Sequence, residues 1–132
     1  MKLLWTFADW GLSVLHLGVV LGNLLLWLPR ATRRAHLVLV AITAASWFGL
    51  GLLYGIGYCF LSDWHWQIKR LRGEVDVPGS FIHYCATRWL GVPIAPETTN
   101  LLTGVGFALA ACLSIALNLR DWLRRRRADT GR

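Results

Sequence analysis

Uncharged apolar stretches alternate with short polar ones along the chain, and three of the apolar stretches are long enough to cross a bilayer. Trp10 to Pro29 carries no charge, nor does Leu37 to Ser62, nor Thr98 to Leu119. The hydrophobicity is continuous rather than alternating, so these runs predict helices and not the strands of a barrel. The predicted spans cover about residues 7–28, 37–61 and 98–119, with an outer connector over 62–96 and a basic tail over 120–132. No internal repeat or low-complexity segment breaks the chain, which reads as one membrane domain over 1–132.

The connector predicts two helices too short to span. Ser62 or Asp63 is a suitable N-cap for a helix over Trp64 to Arg72, which Gly73 can stop. Trp64, Ile68 and Leu71 would form its apolar face, with Lys69, Arg70 and Arg72 turned away. Pro78, Gly79 and Ser80 mark a turn before a second helix, Phe81 to Leu90, ended by Gly91. Phe81, Cys85 and Trp89 share one face of it. Both helices are expected in or on the outer leaflet, with a short fourth span over 79–95 as the topological alternative. Pro93 and Pro96 precede the third span, which can continue as a helix through Asp121 and Trp122.

The first span carries a polar stripe. Asp9, Ser13, His16 and Asn23 lie at spacings that put them on one helical face. Polar and ionisable groups inside a membrane are costly, so this face is expected to meet protein, water or a ligand. Small residues at four-residue spacing, Gly18 with Gly22, Gly51 with Gly55 and Gly104 with Ala108, are candidates for close helix packing. Gly18 and Gly22 fall roughly opposite the stripe, which gives the first span two usable faces and suits a subunit interface.

Charge fixes an expected orientation. The net charge is +7, and its distribution argues against nucleic acid as a partner. Arg30, Arg33 and Arg34 follow the first span, and Arg120, Arg124, Arg125, Arg126, Arg127 and Arg132 follow the third. Lys2, Lys69, Arg70, Arg72 and Arg88 fall on the other side. The positive-inside rule then places the N-terminus outside and the C-terminus in the cytoplasm. The run from Arg124 to Arg127 reads as a topology anchor that can also meet anionic headgroups. Trp5, Trp10, Trp64, Trp66 and Trp89 would form the outer aromatic belt and Trp27 and Trp122 the inner one. The first segment, interrupted by Asp9 and His16 and lacking a small-x-small site before Arg30, reads as a retained span rather than a signal peptide.

Candidate chemistry is sparse. His16 would sit about 13 Å below the outer end of its helix. Haem ligation usually needs a second histidine at similar depth, and His36, His65 and His83 are all expected at the edges. A hydrogen bond to a neighbouring helix is the plainer role for His16, and a quinone, lipid or other small ligand the alternative. Cys59, Asp63, His65 and His83 would gather at the outer surface, where Asp9 could join them, but their spacing matches no metal motif. No nucleophile or oxyanion pattern accompanies them, so no catalytic residue and no cofactor is expected. Cys59 and Cys85 share the predicted outer side, where a disulfide can persist. Cys112 lies mid-span as a packing residue.

The segment Gly57 to Trp66 resembles the signature of a membrane family known as domain of unknown function 2784. That family carries Cys-Pro-Leu-Thr at the end of its second span; here Cys59 and Leu61 match, Phe60 replaces Pro and Ser62 replaces Thr. Gly79 to Tyr84 is similar to the family's Gly-x-Phe-Ile-x-His-Tyr region, one residue shorter. Ala8, Asp9 and His16 fit its Ala-Asp and His positions, and Arg34 to Leu37 its x-x-His-Leu start of span two. The resemblance covers about residues 7–119. It implies a small multi-span bacterial inner-membrane protein and no particular activity. The expected fold is an all-α integral membrane bundle of three spans plus two outer-leaflet helices. The expected function is a non-enzymatic accessory or structural component, in contact with lipid and with a protein partner or a second copy. The alternatives are a quinone- or haem-associated protein using His16, or a metal-dependent enzyme at the outer leaflet.

Overall fold

The computed structural model describes residues 1–130, and Arg132 of the basic tail lies outside them. The architecture is all-helical. Helix α1 is Lys2–Leu25, α2 is Arg33–Tyr54, α3 is Phe60–Leu71, and α4 opens as Phe81–Tyr84 and continues as a π-helical stretch over Cys85–Trp89. The last helix, α5, is Pro96–Thr130. Helices α1, α2 and α5 are long and apolar enough to cross a membrane. They pack on one another, α3 lies along α1, and α4 rests on α5.

Burial is inverted relative to a soluble domain. The buried hydrophobic residues are Val40, Leu61, Trp66, Phe81 and Ala110. The buried polar group is larger and includes Asp9, Ser13, His16, Asn23, Arg33, His36, His65 and Lys69. Many leucines and valines of all three long helices are exposed, as are Phe7 of α1 and Phe48 of α2. Water would penalise such a surface, whereas hydrocarbon accepts it, provided the backbone is satisfied by helices and the polar side chains by one another.

Helix boundaries differ from the sequence reading where the chain turns. α2 ends at Tyr54 because Gly55 takes a positive φ of 107°. Gly55 is therefore an exit from the helix and not half of a packing pair with Gly51. The chain folds back, and a Cβ on Gly51 would come within 3.2 Å of Ile56 Cα. The π-helical stretch Ala45–Leu50 accommodates this return: Gly57 N donates to Trp47 O at 3.1 Å, and Ser46 Oγ donates to Tyr58 O at 3.0 Å while accepting from Phe60 N at 3.3 Å. The next helix therefore starts at Phe60, capped by Cys59 rather than by Ser62 or Asp63.

The second connector helix begins where the turn predicts it, with Ser80 Oγ accepting from His83 N at 3.4 Å. Pro96 supplies the first residue of α5, a position that needs no N–H donor. At 35 residues α5 spans about 52 Å, longer than a hydrocarbon core, so its arginine-rich end extends beyond it. Arg126 lies over the Trp122 ring at 4.0 Å. Of the small residues, Gly22 approaches α2 closely, a Cβ there meeting Leu39 Cδ2 at 2.9 Å, and Gly106 rather than Gly104 faces α1, with Leu24 at 3.7 Å. Gly18 and Gly104 have nothing within 4 Å of an added Cβ.

Candidate functional site

The polar stripe of α1 and the polar face of α3 meet at Asp9. His65 Nε2 lies 2.8 Å from Asp9 Oδ1 and Lys69 Nζ lies 2.9 Å from the same oxygen, while Arg72 holds Oδ2. His65, Lys69 and Arg72 recur at four and three residues, so one face of the helix presents them together. Trp64 and Leu71, read from sequence as the apolar face of a helix in or on the outer leaflet, are 57% and 60% exposed, whereas His65 and Lys69 are buried against Asp9. An amphipathic helix in water turns its apolar side inward; beside lipid the same helix gains by turning its charged side toward a carboxylate.

Glu74 completes the charge balance, with Oε1 3.4 Å from Lys69 Nζ and 3.8 Å from Arg72. Two carboxylates thus face two cations, and His65 can remain neutral. Burial lowers its pKa, and the hydrogen bond to Asp9 only partly opposes that. For Lys69 burial favours the neutral amine, but hydrogen bonds to Tyr84 and Asp9 outweigh it, so its pKa is raised and the ammonium persists. Lys69 Nζ also donates to Tyr84 Oη at 2.9 Å, which links α4 to the cluster.

Ser13, His65 and Asp9 have the composition of a hydrolase triad but not its wiring. Ser13 Oγ is 3.2 Å from His65 Nε2, the nitrogen already facing Asp9. A triad places the serine and the carboxylate on opposite ring nitrogens. Here Nδ1 of His65 is buried without a partner, so the imidazole cannot relay a proton between the two. The cluster is a structural tie of the connector to α1.

Deeper, His16 is buried and stacked on Phe81 of α4, with ring centroids 4.0 Å apart and planes inclined by 8°. Its Nε2 is 3.8 Å from Cys59 Sγ. Asn23, lower on the stripe, donates to Thr43 Oγ1 of α2 at 3.0 Å, and the Asn23 carbonyl accepts from His36 Nε2 at 2.8 Å. At the far end Arg33 meets Asp121 of α5 at 2.7 Å, and Asn118 Nδ2 donates to Arg33 O at 3.1 Å.

The four residues grouped from sequence at the outer surface take separate partners. Cys59 faces His16, and His65 faces Asp9. Asp63 Oδ2 accepts from Tyr58 Oη at 3.2 Å and from Gln67 Nε2 at 3.1 Å. His83 Nδ1 lies 3.2 Å from Thr99 Oγ1 on α5. Among the described residues no group of three or more His, Cys, Asp or Glu side chains is placed to hold a metal ion. Cys59 and Cys85 are free thiols and no bridge joins them; burial pushes the Cys85 thiol up to about 11, so it stays protonated at neutral pH. His65 has its Nε2 engaged with Asp9, and His16 meets Cys59 and Phe81 rather than another histidine. Lys69, Arg72, Tyr84 and Ser46 were missed as partners of the stripe and its neighbourhood. The recurrence of His65, Lys69 and Arg72 on one face was the available signal.

A bundle of three spanning helices with an inward-facing charged connector defines a small helical membrane protein. The family model for "Protein of Unknown function (DUF2784)" matches residues 7–119, and the chain belongs to that family. No curated protein and no solved structure matches the chain.

Proposed function

We propose that the protein is a non-enzymatic component of a membrane assembly, one domain in a bacterial inner membrane with its N-terminus outside and its C-terminus in the cytoplasm. The observation that carries this reading is the occupation of Asp9 by His65, Lys69 and Arg72: the residues most suited to acid–base chemistry are spent holding the connector to α1. The miswired Ser13–His65–Asp9 set and the protonated Cys85 thiol support it. Support for a protein partner comes from Gly11 and Gly18, seven residues apart on α1, both exposed and with no atom within 4 Å of an added Cβ. Such a face lets another helix approach closely in lipid.

Native mass measurement of the full chain in mild detergent is expected to give a mass above that of one chain, from a second copy or a co-purifying protein. Gly18→Leu is expected to return it to a single chain. A persistent lone monomer overturns the assembly. A C-terminal reporter that is active only in the cytoplasm is expected to be active, and an inactive but intact fusion overturns the orientation.

A further inference from the structure

The end of the bundle away from the Asp9 cluster gathers positive charge that the fold leaves unneutralised. Arg33 is buried and its charge is met: Nη1 lies 2.7 Å from Asp121 Oδ2, and Nε donates to Trp27 O at 3.1 Å. That contact ties the loop between α1 and α2 to α5. Arg120 and Arg30 act by charge on the same carboxylate, so both stand near it. Arg120, Arg124 and Arg127 recur at four and three residues and form one stripe of α5 that begins beside Asp121. Arg30, Arg34, Arg120, Arg124 and Arg127 are all exposed, and among the described residues none of them has an ion-pair partner. The first turn of α2 holds no acidic residue, and Asp121 is already taken by Arg33.

Depth selects the partner for this charge. Leu119 ends the uncharged run of α5. At the helical rise Arg120, Arg124 and Arg127 follow it by about 1.5, 7.5 and 12 Å. A headgroup layer is about 5–8 Å thick on each side of the hydrocarbon, and a long arginine side chain can bend back into it. Trp122 and Leu123 are exposed on the same turns, and Leu28 is exposed in the loop. An indole and leucines among unpaired guanidinium groups suit the boundary between acyl chains and headgroups. A soluble nucleic acid or acidic protein would gain from the arginines but not from these apolar neighbours.

We propose that Arg30 and Arg34 together with the Arg120–Arg124–Arg127 stripe bind an anionic phospholipid, its phosphodiester held between the loop and α5 and its acyl chains against Leu28 and Leu119. The planar guanidinium fork matches two phosphate oxygens. A topology anchor needs only net charge on one side of the membrane, whereas this site needs arginines of the loop and of the stripe to act on one headgroup. The Arg33–Asp121 contact is what brings the two together. The site requires neither the assembly nor the orientation proposed above.

The test is native mass spectrometry of the full chain in detergent, with palmitoyl-oleoyl-phosphatidylglycerol and palmitoyl-oleoyl-phosphatidylcholine added separately. The two share their acyl chains and differ in headgroup charge. A saturable phosphatidylglycerol adduct is expected at a concentration at least about tenfold below that needed for phosphatidylcholine. Adducts are counted per chain, so a monomer that binds the lipid defeats only the assembly. Arg30→Gln with Arg124→Gln is expected to weaken the phosphatidylglycerol adduct about tenfold. Arg125→Gln with Arg126→Gln removes the same charge from the same end but off the stripe, and is expected to weaken it less than about threefold. Should the first pair not fold, salt serves on the parent chain: raising ammonium acetate from about 0.05 to about 0.5 M is expected to abolish most of the preference. The proposal is overturned if the two lipids bind alike, if the two pairs of substitutions weaken binding equally, or if the preference survives the salt. A short oligothymidylate that displaces phosphatidylglycerol at equal phosphate concentration also overturns it, in favour of a soluble polyanion.

Discussion

At Asp9 the first helix meets His65 and Lys69 of α3 and Arg72 at its C-terminal end, an imidazole and two basic side chains. About four helical turns further on, at Asn23, the same face meets α2 through one amide–hydroxyl bond and a carbonyl that accepts from His36. Both contacts close the bundle, but their failure modes differ. A neutral bond that is lost leaves groups able to find partners on their own backbone, as Thr43 already does with Leu39 O at 3.0 Å. A charge that loses its counter-ion in a buried site has no such recourse. The outer contact is therefore the brittle one, although the number of polar groups at the two ends is similar.

The largest expected effect comes from removing the carboxylate. Asp9→Ala leaves Lys69 and Arg72 with only Glu74, and Lys69 is almost fully buried. Breaking a buried pair from one side typically costs about 3–5 kcal/mol. Thermal unfolding in detergent should show a loss of that order, with α3 released first. Adding Lys69→Met to Asp9→Ala is expected to restore most of it, because the uncompensated buried ammonium goes while Arg72, 29% exposed, can turn to water. If the double variant is as unstable as the single one, the cost lies in packing at α3 and the charge argument fails.

Acidification acts on the same end by a smaller amount. His65 is held neutral in the fold, with a pKa below its ordinary value because burial disfavours the imidazolium. The unfolded chain takes up the proton near pH 6.5, before the folded chain does. Stability is therefore fully present above about pH 6.5 and declines as pH falls through that value toward the lower folded pKa. Asp9, Lys69, Arg72 and Glu74 surround the ring, and Ser13 and His16 lie on the facing helix. His65→Gln should flatten the decline between about pH 7 and 5.5. An unchanged decline in that variant would assign it to another group.

The difference between the two ends also shows what can be read from a sequence of this kind. The stripe was legible because Asp9 and His16 interrupt an apolar run where every polar group is expensive. The three spans were legible for the same reason, but their ends moved: α1 runs Lys2–Leu25 rather than 7–28, and α2 stops at Tyr54 rather than at residue 61, where Gly55 turns the chain back on the π-helical stretch. The partner of α3's charged side was not legible: Trp64, Ile68 and Leu71 mark the apolar face, but nothing in the pattern says that His65 and Lys69 are buried against Asp9. The partners of Asp9 lie more than fifty residues away in sequence, and no local pattern connects them to it.

The smallest effect belongs to the neutral end, and it is the sharpest check on the comparison. Asn23 and Thr43 exchange bonds of 3.0 and 3.4 Å between α1 and α2. Hydrogen bonds between membrane helices couple by about 0.6 kcal/mol on average, because each partner finds a substitute when the other is removed. A cycle of Asn23→Leu, Thr43→Val and the double variant, read by unfolding in detergent, is expected to give a coupling of about that size. The His36 bond should survive in all three, since it goes to the Asn23 carbonyl and not to the side chain. A coupling of about 3 kcal/mol or more, comparable to the loss predicted for Asp9→Ala, would mean that the neutral contact is as brittle as the charged one. The contrast drawn from charge would then have to give way to depth in the bilayer as the governing variable.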